Sequence, residues 1–532
     1  MHGPPLFKSQ KRRAILTTVT TVTVVLLGLT LPRRTVSAQN ATSALDVCSR
    51  SVNIASLLPG GAHEDPDVAA ANALIDSEFA SALTEIQTSP PADAALDEQL
   101  LGKVEIFDKT LSVNANLACA SCHDPAAGFT GASSYLNQTI VAQPGSVPIT
   151  NATNGGPNYR ISNRKPQAYP YMAFAPVLHY NATQQDFYGG NFWDLRATGQ
   201  RLGNPAAEQA QGPPLNPLEM GWPDSACLVY KLSQSSYASF FEKVWGAQSF
   251  AIVWPSNVQQ VCSTPGPAPA STPLPVQLTP ADRATSNSAF DHFAQSIAQE
   301  ESAEESPFSS KFDAYLAGQA TLTSQEMNGY KLFNGKAQCN QCHLSGNATS
   351  PGNPGTAADV APLFTDFTTN NIGLPKNQAL PYYCESTPDQ YGYTANPAGF
   401  NATDQGLGSI LAASTNPAWQ ALAPKFVGKF QTATLRNVDQ RPYPGFLKAY
   451  MHNGYLKSLQ EVVDFYNTSQ ALPRCTQGSP GEKVSCWPPP EVPTNLNTTQ
   501  LGKLHLSSPE EDDIVAFLQT LTDGWFNPSS VP

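Results

Sequence analysis

Positive charge is scarce in this sequence of 532 residues: 30 Lys and Arg stand against 42 Asp and Glu, a formal net charge of −12. That balance excludes nucleic acid as a partner. It favours encounter with a positively charged protein, or serves solubility alone. Long apolar runs are missing beyond Leu31, so no later stretch is built to cross a membrane. Pro (47) and Gly (36) are abundant and predict long ordered loops between helices. Hydrophobic residues make up 41%, enough for large cores, and the length points to two or three domains.

The first 38 residues are set apart. Lys8, Lys11, Arg12 and Arg13 form a basic head, Ala14 to Leu31 an apolar, Thr-rich run of 18, and Val36-Ser37-Ala38 a small-residue cleavage site. This is the pattern of a secretory signal peptide over 1–38. An uncleaved membrane anchor is the rival, because 18 residues just span a bilayer and Arg33 and Arg34 follow. Removal of the segment leaves 24 basic against 42 acidic residues, a net of −18. A periplasmic or secreted location follows, with membrane contact only through this segment.

Ten cysteines fit export. Four lie in Cys119-Ala120-Ser121-Cys122-His123 and Cys339-Asn340-Gln341-Cys342-His343. Each reads C-x-x-C-H, the attachment signature of a c-type haem. Two thiols two residues apart reach the two vinyl groups of one porphyrin, and the adjacent imidazole points at the iron. A zinc knuckle or a thioredoxin-like dithiol also pairs cysteines, but a His directly after the second Cys suits neither. The other six, Cys48, Cys227, Cys262, Cys384, Cys475 and Cys486, allow fifteen disulfide pairings. Proximity suggests Cys227–Cys262 and Cys475–Cys486. The eight N-x-S/T sequons read as incidental.

In chain order, 39–65 reads as a mobile leader. Helical periodicity runs from Asp67 to Glu85. A second helix, Ala94 to Asp108, carries Leu96, Leu100, Leu101, Val104 and Phe107 at helical spacing and leads into the first motif. Residues 124–165 and 254–280 read as loops, the latter with seven prolines. A helix over Ala281 to Glu301 puts Phe290, Phe293 and Ile297 on one side. Thr323-Ser324-Gln325-Glu326 is a capping box opening a helix into the second motif. Ser458-Leu459-Gln460-Glu461 is another, before a helix with Leu459, Val462, Val463 and Tyr466 on one face. A last helix begins at Ser508-Pro509, proline first. The order helix, polar turn, C-x-x-C-H occurs twice. The fold expected is mainly α: two cytochrome c-like haem domains, 66–303 and 304–532, with long Gly/Pro-rich loops.

With Phe192-Trp193-Asp194-Leu195-Arg196, Asn216-Pro217-Leu218-Glu219-Met220, Thr434-Leu435-Arg436-Asn437-Val438 and Met451-His452-Asn453-Gly454 added to both haem motifs, the sequence resembles the bacterial dihaem cytochrome c peroxidase family, which includes the MauG enzymes. The likeness covers 95–525. It implies two covalently bound haems c. One, at His123, reacts with hydrogen peroxide; the other, at His343, receives electrons from a small donor protein, a cytochrome c or cupredoxin. The resemblance also implies Glu219 as distal acid/base, Gln209 as the glutamine orienting that pocket and Trp193 as the aromatic between the haems. A homodimer is the candidate assembly. The sixth ligand of the second haem falls fourteen residues after His452, on Tyr466, with Met451 the alternative.

Departures from the family pattern matter. Many members carry a His after the first motif that blocks the peroxide site; 124–165 has none, and His179 reads as a surface residue. A calcium ion between the haems would find Asn163 as nearest ligand, but the segment Asp439 to Ala449 is longer than usual and places no others. His292 and His505 read as surface residues. The reading is a dihaem c-type peroxidase, an oxidoreductase reducing peroxide to water. The rivals are a MauG-like or BthA-like oxidase working through a high-valent dihaem state on another substrate, and a non-catalytic dihaem electron carrier.

Overall fold

The computed structural model describes residues 54–58, 61–88, 94–150, 158–266, 274–345 and 361–525. The signal-peptide segment 1–38 lies outside them. Among the described residues no helix is long and apolar enough to cross a membrane.

The chain is mainly helical. The helices that position the site are α1 (Pro66–Thr88), α2 (Ala94–Phe107), α3 (Pro280–Ser302), α4 (Ser324–Asn334), α5 (Leu459–Thr468) and α6 (Ser508–Gln519). Among the described residues sheet is confined to two short antiparallel pairs: β1 (His179–Asn181) with β2 (Asp186–Tyr188), and β3 (Thr369–Asn370) with β4 (Phe430–Gln431).

Helix starts follow local chemistry. The Thr279 hydroxyl accepts from the Asp282 N–H at the head of α3, and Thr323 and Glu326 close a full capping box on α4. On α5 the Ser458 hydroxyl accepts from the Glu461 N–H, but the Glu461 carboxylate accepts from Lys457 N–H, so that box is open. Ser507, not Ser508, caps α6, which puts Pro509 second in the helix.

Both haem motifs are reached through the same packing device. Gly102 on α2 lies against the Ser296 carbonyl of α3, and Gly329 on α4 against the Asp513 carbonyl of α6; a Cβ at either would collide with backbone. Only a residue without a Cβ lets the two helix backbones come this close. The two largest hydrophobic clusters form around these pairs. One runs through Leu101, Val104, Phe293 and Ile297, the other through Phe312, Phe333, Phe364 and Phe517. Smaller clusters join the two halves of the chain, such as Leu178, Phe187 and Leu195 with Leu407 and Phe426.

Several expectations are corrected, while His505 and the two expected disulfides are as read from the sequence. The leader ends earlier than 65: Ile54 is fully buried, and buried Asp65 accepts from the Ser133 hydroxyl at 2.6 Å. Leu96 is 42% exposed, because α2 turns its first residues outward. The 124–165 loop holds a short helix, Ser134–Thr139, capped by Ser133, and the Pro-rich loop holds another, Val258–Cys262. His292 is not a free surface residue: its ring stacks on Trp245 at 4.2 Å. His505 is exposed. Cys227–Cys262 and Cys475–Cys486 are disulfides, and Cys384 is disulfide-bonded as well.

Gly102→Ala and Gly329→Ala are each expected to destabilise by about 1–3 kcal/mol or more, because the helices must part. Thermal unfolding followed by circular dichroism checks this; an unchanged midpoint would remove the close approach as a constraint.

Candidate functional site

The four motif cysteines are the free thiols among the described residues, although other cysteines of the chain are oxidised. Cys119–Cys122 forms one helical turn and Cys339–Gln341 a 3₁₀ turn; each sets the histidine with its N–H on the first cysteine's carbonyl. Burial pushes the Cys119, Cys339 and Cys342 thiols up to about 12. Thiols held protonated by enclosure do not suit a reactive dithiol.

The two imidazoles are held alike. His123 Nδ1 meets the Phe129 carbonyl at 3.2 Å, and His343 Nδ1 the Phe364 carbonyl at 2.9 Å. A carbonyl can only accept, so Nδ1 carries the hydrogen and Nε2 keeps its lone pair, the arrangement of a ligating histidine. Burial lowers the His123 pKa to about 4 and shifts His343 the same way, so both rings are neutral at pH 7. Phe129 (φ +59°) and Phe364 (φ +52°) both adopt the left-handed conformation to present that carbonyl. Sequence reasoning missed these two residues. The signal was the Phe-Thr pair following each motif, Phe129-Thr130 and Phe364-Thr365.

Each motif opens on its own cavity. The first, about 530 Å³, is lined by Cys119, Cys122, His123, Gln209, Glu219 and Trp193. The second, about 230 Å³, is lined by Cys339, Cys342, His343, Tyr466, Met451 and His452. Trp193 lines both. A slot walled by two thiols, an imidazole lone pair and apolar side chains fits a covalently held porphyrin in each case. His123 would hold one iron and His343 the other.

Glu219 closes the tight turn Asn216–Glu219, whose Asn216 side-chain N–H donates to Glu219 Oε1 at 2.7 Å. What exposure Glu219 has opens on the cavity. Enclosure therefore pushes its carboxyl above the ordinary value, with Arg196 and the Asn216 bond opposing. Gln209 sits on the short helix Pro205–Ala210, capped by Asn204. His123 is the one histidine lining the first cavity among the described residues; His179 lies on β1, stacked on Tyr188 at 6.0 Å, away from both cavities. Asn163 lines the first cavity, but no group of three or more His, Cys, Asp or Glu that could hold a metal ion occurs among the described residues.

A wall separates the cavities. The Trp193 indole N–H donates to the Lys165 carbonyl at 2.9 Å, and the Lys165 N–H to the His452 carbonyl at 2.7 Å. The His452 ring stacks on Phe430 at 3.6 Å and stands 6.4 Å from the Trp193 ring. Lys165 lines both cavities, and burial lowers its ammonium to about 7. Beside them, Arg164 grips Asp404 at 2.7 and 2.8 Å and Asp194 at 2.6 Å. Burial raises the Asp404 carboxyl, but the guanidinium outweighs it and holds the group at about 2. Neither Lys165 nor Arg164 stood out in the sequence, since a charged pair just ahead of Pro166 looks like a solvated loop position.

Two covalent haem sites in a helical chain, one beside a buried carboxyl and an amide, define a dihaem c-type redox protein. A family model for di-haem cytochrome c peroxidase matches residues 97–321. The methylamine utilization protein MauG of Paracoccus denitrificans is 30% identical over 446 residues, 82% of this chain and 91% of that protein. Cytochrome-c peroxidase IdrP2 of Denitromonas iodatirespirans is 26% identical, covering 82% of this chain and 85% of its own length. Among solved structures, the diheme peroxidase BthA from Burkholderia thailandensis matches with a TM-score of 0.56 at 25% identity, over 81% of this chain and 86% of that one. Its tyrosine-to-methionine variant matches at 0.57 and 26%, over 81% and 87%. The chain belongs to the di-haem cytochrome c peroxidase family that includes MauG, and it is an oxidoreductase of the cytochrome-c peroxidase type.

Replacing Cys339 and Cys342 with Ser should leave one covalent haem per chain, and replacing all four motif cysteines none. Haem staining of denatured protein and a pyridine haemochrome count read this directly. Two haems surviving the double substitution would refute the assignment.

Proposed function

We propose that this chain is an exported dihaem peroxidase that reduces hydrogen peroxide to water with electrons from a small redox protein. The observation that carries the reading is the convergence of Glu219, Gln209 and Trp193 with the His123 motif on one cavity. The division into cytochrome c-like domains over 66–303 and 304–532 is part of the proposal. It is supported by the two main clusters, which use residues 75–298 and 312–521. Export, with 1–38 as signal, is supported by the disulfides.

When bound, the haems supply iron and the storage of oxidising equivalents; His123 and His343 would be their ligands. The chain's own residues handle protons and geometry. Peroxide must lose a proton from one oxygen and gain one on the other. Glu219, enclosed and raised, holds such a proton and moves it across the distance between the two oxygens. The Asn216 N–H aims that carboxyl, and the Gln209 amide orients the peroxide. The Trp193 ring spans the wall and shortens the electron's path from the second cavity. Tyr466 is the proposed sixth ligand of the second haem, with Met451 the alternative; both line that cavity.

A second reading keeps the same site but a different final substrate, as in an oxidase of the MauG or BthA kind. Tyr466 favours it, because a phenolate oxygen stabilises the ferric state and makes that haem a poorer acceptor. The histidine content of the first cavity, His123 alone among the described residues, also favours a site open at rest. A plain electron carrier has no use for Glu219 and Gln209.

Glu219→Gln should slow the reaction with peroxide by about 10²–10⁴-fold in stopped-flow. Because enclosure raises Glu219, the rate in the unchanged protein should fall with acid at a midpoint above that of an ordinary carboxylate. An unaltered rate in the variant would exclude Glu219 as the proton carrier. Tyr466→Phe should change the low-spin ferric EPR signal of the resting protein; an identical signal would leave Met451 as the ligand.

A further inference from the structure

The reduction of one peroxide to two waters takes up two electrons and two protons. Glu219 returns the proton it takes, so its net contribution is zero. Both protons must enter the first cavity from outside.

The structure holds a run of carboxyls that the mechanism does not use. The last turn of α3 and the residues after it carry Glu300, Glu301, Glu304 and Glu305; α2 carries Glu105 and Lys103. Glu304 is at the surface, 54% exposed, with Lys103 on its Oε1 at 2.8 Å. Glu300 is 2% exposed and within electrostatic reach of Glu304, Glu305 and Lys103. Glu305 in turn reaches Glu301, Glu304 and Tyr169. Glu301, 3% exposed, lines the first cavity beside Cys119, in the same cavity as Glu219.

These groups are not satisfied as a structural network would be. Glu300 Oε2 and both oxygens of fully buried Glu105 close no hydrogen bond, and the Tyr169 hydroxyl faces Glu305. The charged and titratable groups turned toward the cluster are few: Lys103 and Glu105 from α2, Glu78 from α1, and Tyr169 and Cys119 from the haem side. One lysine at the rim cannot balance this many carboxylates. Burial accordingly pushes Glu300 to about 9 and Glu301 and Glu305 to about 8, so at neutral pH each holds a proton. Unpaired buried carboxyls cost stability and commonly mark function.

We propose that Glu304, Glu300, Glu305 and Glu301 form a proton relay from the surface at Lys103 to the first cavity. This rests on the peroxidase reading. Glu301 releases its proton into the cavity and takes one from Glu305. Glu300 and Glu304 refill Glu305 from solvent. Only O–H bonds form and break, and one proton moves for each electron the donor supplies. Glu301 is thus a positioning and relay residue, without contact with the reacting oxygens.

The test uses the holoprotein with peroxide and a reduced cytochrome c as donor. Glu301→Gln and Glu305→Gln should each lower turnover about tenfold or more at pH 7–8. Haem content and the resting EPR spectrum should be unchanged. Higher concentrations of a bulky weak-acid buffer should restore the rate, and Glu301→Asp should recover much of it. Infrared spectra of the resting protein at pH 7 should show a neutral carboxyl C=O band that loses intensity in each variant. If one variant fails to load haem, Glu300→Gln carries the same measurements. Wild-type turnover in the variants across pH 6–9, or absence of the neutral carboxyl band, overturns the relay alone. A wild-type protein inert to peroxide overturns the peroxidase reading, and the relay falls with it.

Discussion

Two half-buried imidazoles, each pinned at Nδ1 by the carbonyl of a phenylalanine in the left-handed conformation, are the constraint that the rest of this structure serves. Burial keeps both rings neutral, and the carbonyl fixes the tautomer, so Nε2 is delivered to the cavity as a lone pair. The left-handed backbone at Phe129 and Phe364 costs of order 1–3 kcal/mol each. Such a cost persists only where the surroundings overdetermine it. Here ring packing does so, Phe129 against Tyr169 and Phe364 against Phe312, Phe333 and Phe517.

The second dependency is the wall between the cavities. Trp193 comes from the first half of the chain and His452 from the second, and Lys165 joins them by two backbone carbonyl contacts. Arg164 ties the same region together through Asp404 and Asp194. Buried ion pairs contribute little net stability, since desolvation offsets attraction. What they do impose is registry, because a broken partner would leave a charge stranded. A fixed wall keeps the distance between the two redox sites constant.

The halves share a plan but differ in furnishing. The first cavity brings together carboxyl groups: Glu219 on a tight turn and Glu301 at the end of α3. The second cavity presents the phenol of Tyr466 and the thioether of Met451, with the carboxyls of Asp404 and Glu491 also on its lining. In the proposed peroxidase, proton chemistry falls to Glu219 in the first cavity and electron intake to the second, with Trp193 and Lys165 on both linings. Enclosure supports this division, because a carboxyl cut off from water binds its proton more tightly than an exposed one.

Covalent chemistry and local periodicity were readable in the sequence alone. The paired C-x-x-C-H motifs, the helices leading to them, the capping box at Thr323 and the two nearby disulfides depend on residues close together in the chain. Short-range geometry decides such features. The convergence of Gln209, Glu219 and Trp193 with His123 was legible only through the family likeness, because these positions lie up to about a hundred residues apart. Tertiary structure alone decided the rest: the carbonyls of Phe129 and Phe364, the bridge at Lys165, the grip of Arg164 on Asp404 and the buried glutamates. A lysine, an arginine and a run of Glu read as solvated surface in one dimension. Their chemistry follows from how much water the fold takes away from them and which distant groups it sets in its place.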